Sequence, residues 1–350
     1  MSKRTVAKLN GLVEEFLLER GAVSVGVATL ATLAGGPPST DLEYCLEGGR
    51  SAISFALPLN RDHIRAYLAK EDRLAHERDN IDTNLRATDI SWELAEMLKK
   101  EGHISKGTKA NLKYRQEMKD WELFLPPDIS HRYVAARSGV GSFGWSGNVG
   151  VEGYGTAVIL DTTVTAAELE PTEPVPPGEG FCDMCKLCTS VCASGMFDKK
   201  KETSVTIGGV TFSFSARNNY LLCDFCCGGF TGLAKSGKWS TWSPGRIPFP
   251  DDYGELFKEF VRAFDLYNRR PPMPGGIPHP ALKGYRQHLT CGNCQITCWG
   301  NKEDTRENVK LLHGSGCVLQ RPDGELYALP PEEAGAAFEK MEPERRALYC

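Results

Sequence analysis

The chain has 350 residues, 41% of them hydrophobic and 25% charged, with a formal charge of −4. That length supports one large or two ordinary domains with a real core, and the composition is that of a soluble globular protein. The slightly acidic balance gives no basis for a nucleic-acid partner, and the basic runs that stand out, Lys99-Lys100 and Lys199-Lys200-Lys201, read as solvated faces.

Leu9, Leu12, Val13, Phe16 and Leu17 recur at helical spacing and predict an amphipathic helix over about residues 4–20. Glu14, Glu15 and Glu19 interrupt any apolar stretch there, so the segment does not read as a signal peptide. It has no twin-arginine pair, and no run of about 18 apolar residues occurs, which leads to the expectation of a cytoplasmic protein. AVSVGVATL and SAISFALPL (51–59) predict strands, and residues 61–101 carry helical periodicity. SHRYVAA predicts a helix, a Gly-rich stretch fills 139–155, and TAVILDTTVT predicts a further strand. This alternation implies a sheet with helices packed on it. ELEPTEPVPPGEG (168–180) reads as a linker, after which cysteine density jumps and periodicity is poor to about residue 300. The expected division is a first domain at 1–167, a linker at 168–180, a cysteine-rich domain at 181–305 and an extension at 306–350, with a helix at PPEEAGAAFEKME.

Thirteen cysteines, an odd number, suit metal or redox chemistry better than disulfides. CDMCKLCTSVC (182–192) has the spacing C-x2-C-x2-C-x3-C. In that arrangement three thiolates wrap one [4Fe–4S] cubane and the fourth ligates a second. The shorter run CGNCQITC (291–298) supplies more ligands, and by the same crossing rule its last cysteine returns to the first cluster. The first cluster is therefore expected on Cys182, Cys185, Cys188 and Cys298. The second is expected on Cys192, Cys291, Cys294 and one cysteine of LLCDFCCGG: Cys223 as first choice, with Cys226 and Cys227 as rivals. Structural zinc is the alternative, but it takes four ligands per ion, usually as two pairs.

Gly139-x-Gly141-x-x-Gly144 is a literal dinucleotide fingerprint, yet it follows a helical pattern where a strand is required. The stretch ARSGVGSFGWSGN followed by EGYGTAVILDTTVT resembles the Gly-Leu-Gly-Trp-x-Gly-Lys-Asn region of epoxyqueuosine reductases and, more distantly, reductive dehalogenases. The match covers roughly residues 50–300 and is clearest at Gly144-Trp145, Gly147-Asn148 and the two cysteine runs. The resemblance implies an α+β architecture: a nitroreductase-like α/β corrinoid-binding domain followed by a ferredoxin-like domain with two [4Fe–4S] clusters. It implies a base-off cobalamin lying on Gly139, Gly141, Gly144, Trp145, Ser146, Gly147 and Asn148. No Asp-x-His-x-x-Gly is present to offer a histidine to cobalt. The lysine of the family motif is missing between Gly147 and Asn148, and proline follows neither Cys192 nor Cys298.

The function so implied is a cobalamin-dependent iron–sulfur reductase fed by an external low-potential donor of ferredoxin or flavodoxin type. Its substrate would be a small organic molecule, epoxyqueuosine-like or an organohalide. Asp128, Tyr133 and Tyr154 are the candidate proton donors, with His131 beside them, and Lys238 and Arg246 could hold an anionic substrate. Two rival classes are an iron–sulfur electron carrier or corrinoid activator without substrate chemistry, and a flavin enzyme.

Overall fold

The computed structural model describes residues 5–110, 113–121, 125–217, 219–250, 252–279 and 283–350. Helix α1 (Val6–Glu19) buries Leu9, Val13 and Leu17, one stripe at four-residue spacing. Strand β1 (Ser24–Thr29) pairs antiparallel with β2 (Ser51–Pro58), Val27 opposite Ile53. The periodic stretch after β2 divides into α2 (Arg61–Leu68) and α3 (Arg73–Lys100). Asn60 and Asp72 cap them, each accepting backbone N–H bonds that the first turn cannot satisfy. Strand β3 (Ser105–Gly107), helix α4 (His131–Arg137), the short pair β4 (Ser142–Phe143) and β5 (Val149–Gly150), and β6 (Val158–Thr165) follow.

The main sheet runs β1-β2-β6-β3, antiparallel throughout. Every residue of β6 and all but the last of β2 are buried, because helices cover both faces of the sheet centre. The Ser91 hydroxyl of α3 donates to Thr162 O at 2.9 Å, and the His131 ring of α4 meets the Thr162 hydroxyl at 2.9 Å. These bonds satisfy polar groups that an apolar cover would leave unpaired.

Segment 168–180 has no regular structure but is not loose. Thr172 exchanges two 2.9 Å bonds with Val27 on β1, and Glu173 O approaches Gly139. Beyond it, the low periodicity noted in the sequence conceals regular elements. Strands β7 (Phe197–Ile207) and β8 (Val210–Arg217) form a long hairpin closed by Gly208-Gly209, both at positive φ (56° and 77°), the conformation a tight hairpin turn needs. Helix α5 (Leu221–Cys227), α6 (Tyr253–Arg269), the single turn α7 (Asn293–Ile296) and α8 (Lys302–Gly314) come next. A hairpin (Cys317–Gln320 with Leu326–Leu329), α9 (Pro331–Glu339), inside the stretch expected to be helical, and a last helical turn at Pro343–Arg346 complete the chain.

One buried apolar cluster joins Leu9, Phe55 and Leu94 of the sheet layer to Ala193, Trp242, Ile296 and Trp299 of the cysteine-rich part. A second, built on Phe225, Phe230 and Tyr267, supports α5 and α6. The cysteine loops are thus held between two aromatic-rich cores. Among the described residues no helix is long and apolar enough to cross a membrane.

Candidate metal-cluster centre

The loop 182–192 turns tightly, with Met184 and Lys186 both at positive φ (57° and 58°) and a 3-10 turn at Leu187–Thr189. Cys182, Cys185 and Cys188 line one cavity together with Cys298, more than a hundred residues away. Cys298 is carried there by its backbone, whose carbonyl accepts a 2.9 Å bond from Thr156 N–H. Burial pushes the Cys185 thiol up to about 11 and Cys188 up to about 12, and it raises Cys298 as well. Loading metal on these sulfurs must therefore expel protons.

The remaining thiols of the two runs face the three of α5. Cys192 and Cys294 both feel the charges of Cys223 and Cys291, and Cys226 feels Cys192, Cys223 and Cys291. Cys223 and Cys227 are 3.6 Å apart, and a bond from the Cys227 thiol holds Cys291 down at about 7. Six thiols thus gather at the second centre, including all three rivals for its fourth ligand. Cys45 and Cys317 are buried elsewhere, against Asp128 O and Gly237 O, and Cys350 is exposed. Among the described residues no three His, Cys, Asp or Glu side chains stand close enough to share one metal ion. A cubane takes one thiolate on each of its four irons, so its ligands need not converge on a point.

The glycine stretch runs between the two centres. Gly144, Trp145 and Ser146 line the first cavity, where the Ser146 backbone partly offsets the burial that raises the Cys188 thiol. Two residues on, the Asn148 amide donates to Cys294 at 3.6 Å. The fingerprint Gly139-x-Gly141-x-x-Gly144 follows α4 and enters β4, so it lacks the strand-to-helix setting of a dinucleotide site.

A corrin lying on this loop would need glycine α-carbons that face open space. At Gly139, Gly141, Gly144 and Gly147 they face protein instead. A Cβ at Gly144 would sit 2.8 Å from the Phe181 ring, at Gly147 2.8 Å from the Arg217 guanidinium and 3.0 Å from Phe214, and at Gly141 2.3 Å from Gly150 O. Trp145 and Ser146 are buried, and β8 covers the loop further through the Ser215 N–H bond to Trp145 O at 2.8 Å. At those four glycines the loop as folded offers no shelf for a macrocycle.

The candidate proton donors are dispersed. Asp128 is buried, 3.5 Å from Lys113 Nζ, and its Oδ1 accepts Ile129 N–H. Tyr133 packs its ring 6.2 Å from Phe143, and Tyr154 stands 5.9 Å from the Arg61 guanidinium. Among the described residues no hydrogen bond or ion pair joins the three. Lys238 is exposed and Arg246 lies 4.6 Å over the Phe338 ring of α9; neither lines the thiolate cavity.

His131 has a partner that sequence reasoning missed. Asp161 of β6 is fully buried; its Oδ1 accepts Thr108 Oγ1 and Thr162 N–H, both at 2.7 Å, and lies 3.7 Å from His131 Nδ1. Burial raises its pKa, and its Oδ2 has no partner. The signal was an aspartate in the middle of the apolar run VILDTTVT.

Neither a protein-family model nor a curated protein matches this chain. Solved structures do. A catabolic reductive dehalogenase in complex with 3-bromo-4-hydroxybenzoic acid aligns over 99% of this chain and 38% of its own, at 13% identity and a TM-score of 0.52. A reductive dehalogenase whose structure suggests a mechanism for B12-dependent dehalogenation aligns over 75% of this chain and 35% of its own, at 13% identity and a TM-score of 0.50. An epoxyqueuosine reductase with a modified tRNA stem loop aligns over 88% of this chain and 81% of its own, at 16% identity and a TM-score of 0.38. The chain thus spans little over a third of the two dehalogenases it matches. Its mixed α/β fold is similar to that of the two reductive dehalogenases.

Proposed function

We propose that the chain is an iron–sulfur reductase that carries electrons through two [4Fe–4S] clusters from an external low-potential donor to an organic acceptor. One observation carries the reading: Cys182, Cys185 and Cys188 share a cavity with Cys298 from the distant second run, the crossed pairing expected of a two-cubane protein. Cys192, Cys223, Cys291 and Cys294 are the proposed ligands of the second cluster, all four lying in one electrostatic neighbourhood. Such clusters supply one-electron steps whose potential is set by N–H bonds to sulfur and by burial. The Asn148 amide meets that requirement at the second centre. Asp161, 3.7 Å from His131 and raised in pKa by burial, is a carboxyl group able to hold a proton beside the sheet. The substrate is proposed to be a small organic molecule, organohalide or epoxyqueuosine-like.

Anaerobically isolated protein should hold about eight iron and eight sulfide, four of each per cubane. Serine at Cys182 should remove one cluster signal and leave the other. Four irons, or zinc in their place, would end the two-cluster reading. A second reading adds a base-off cobalamin as terminal reductant. It is supported by the fold likeness to a B12-dependent dehalogenase and opposed by the covered glycines. Titration of cluster-loaded protein with cobalamin, followed by electron paramagnetic resonance of Co(II), decides it. No binding removes the corrin, and nitrogen splitting from an axial ligand would contradict the base-off form.

A further inference from the structure

Lys199-Lys200-Lys201 is more than a solvated run, because the fold sets it beside the first thiolate cavity. Lys186 belongs to the cavity wall, its ammonium 3.7 Å over the Trp145 ring. The same ammonium donates to Lys199 O at 3.2 Å, tying the cysteine loop to the start of β7. From Lys199 to Ser204 the β7 strand is exposed. A turn around Asp198 projects the run outward: its Oδ1 accepts the N–H groups of Lys200 at 2.7 Å and Lys201 at 2.9 Å. Asp183, Asp198 and Glu202 are the carboxylates on the same stretch. Among the described residues none of the four lysine ammonium groups has a carboxylate within 4.0 Å. Met184, 49% exposed, lies at the rim between Cys182 and Cys185. The proposed ligands of the second centre are packed against the two cores, Cys291 on the first, Cys192 and Cys223 on the second and Cys294 on both.

We infer that this lysine face is the docking surface for an acidic one-electron carrier protein, which delivers its electron to the first cluster through the open side of the cavity. The inference rests on reading that cavity as a cluster site. Four lysines without a carboxylate within 4.0 Å among the described residues, one in the cavity wall and three on the exposed strand tied to it, in a chain whose overall charge is negative, form a local field of the sign that attracts an acidic partner. Such a field orients the partner and raises the encounter rate by about 10–1,000-fold at low salt. The step is a single electron transfer: the carrier's reduced [2Fe–2S] centre is oxidised by one electron, the oxidised [4Fe–4S] centre is reduced by one, and no bond or proton moves.

The test uses cluster-loaded protein and a reduced, strongly acidic [2Fe–2S] ferredoxin in stopped flow, with photoreduced deazariboflavin as a small neutral reductant for comparison. The expected result is a wild-type ferredoxin rate that falls as salt rises. Changing Lys199, Lys200 and Lys201 together to Glu should lower the rate at least tenfold at low salt, to Gln by an intermediate factor, and to Arg hardly at all. Reduction by deazariboflavin and the iron content should be the same in all four proteins. A ferredoxin rate that is unchanged in the Glu variant, or that ignores salt in the wild type, overturns the docking surface while leaving the clusters in place. So does a patch that binds a labelled RNA stem loop and loses it in the Glu variant with no change in the ferredoxin rate. Missing iron in the wild type would instead overturn the cluster reading itself.

Discussion

Gly155 is the residue through which the glycine stretch holds Cys298 in place. It has φ +61°, and a Cβ there would lie 2.3 Å from Cys298 O, 2.4 Å from Gly300 N and 2.5 Å from the Trp299 carbonyl carbon. Those atoms are backbone and cannot swing aside, so an alanine must push the 298–300 segment back by about 1 Å in a close-packed interior. Left-handed backbone costs alanine about 1–2 kcal/mol, and overpacking adds about 1–3 kcal/mol. Gly155→Ala should therefore cost about 2–5 kcal/mol in all. Gly153, two residues away, separates the two effects: it has φ +75° but nothing within 4 Å of its Cβ position. Gly153→Ala should cost only the backbone share, about 1–2 kcal/mol. The displaced segment carries Cys298, so Gly155→Ala should also lose about half of its iron while Gly153→Ala keeps it. Thermal unfolding and iron analysis of the pair make the assay. If both variants unfold at the same temperature with full iron, the argument that this glycine positions the fourth ligand is wrong.

Asn148→Leu removes the side-chain donor to Cys294 and should lower the potential of one cluster while the other stays fixed, read by potentiometric electron paramagnetic resonance; two unchanged midpoints would deny the amide that role. Alanine at Cys223, Cys226 and Cys227 in turn should show one position, Cys223, whose loss costs a cluster, with the other two keeping full iron; tolerance at all three would move the eighth ligand elsewhere. His76 is buried with no partner for Nδ1, and burial lowers its pKa to about 4. Its unfolded form binds the proton first, so stability is complete above the ordinary histidine range and is lost as pH falls from about 6.5 to 4, by about 3 kcal/mol in total. His76→Gln should flatten that part of the pH profile of chemical unfolding, and an unaltered profile would show that another group is responsible.

Local pattern was enough for the elements whose code is local. The stripe of α1, the apolar strands β2 and β6 and the helical run after residue 60 form where periodicity put them, because each has one face or both faces to bury. The first cavity's four thiolates were equally legible, three from the short loop C-x2-C-x2-C and the fourth, Cys298, from the crossing of the two runs. The break between α2 and α3, and the elements within 182–300, were harder to read. VTIGGVTFSF alternates about a Gly-Gly turn, a hairpin signal, but the surrounding Gly, Pro and Cys obscured it.

Other features exist only once distant segments meet. The crossed spacing assigned Cys298 to Cys182, Cys185 and Cys188, but what brings it there across more than a hundred residues, the grip of Thr156 and Gly155 on its backbone, is visible only in the fold. The glycine stretch was legible as a place of close approach, but glycine does not say what approaches. Here Phe181, Phe214 and Arg217 do, since β8 folds back over the loop. Asp161 and His131 lie thirty residues apart and meet because α4 packs on β6. Lys199 to Lys201 become a feature of the cavity only through the Lys186 bond to β7. The sequence by itself determined which side chains could carry redox chemistry, because that depends on residue type and short loops. Tertiary structure alone decided what surrounds them and how distant segments are held together, because the core that positions them is assembled from the whole chain.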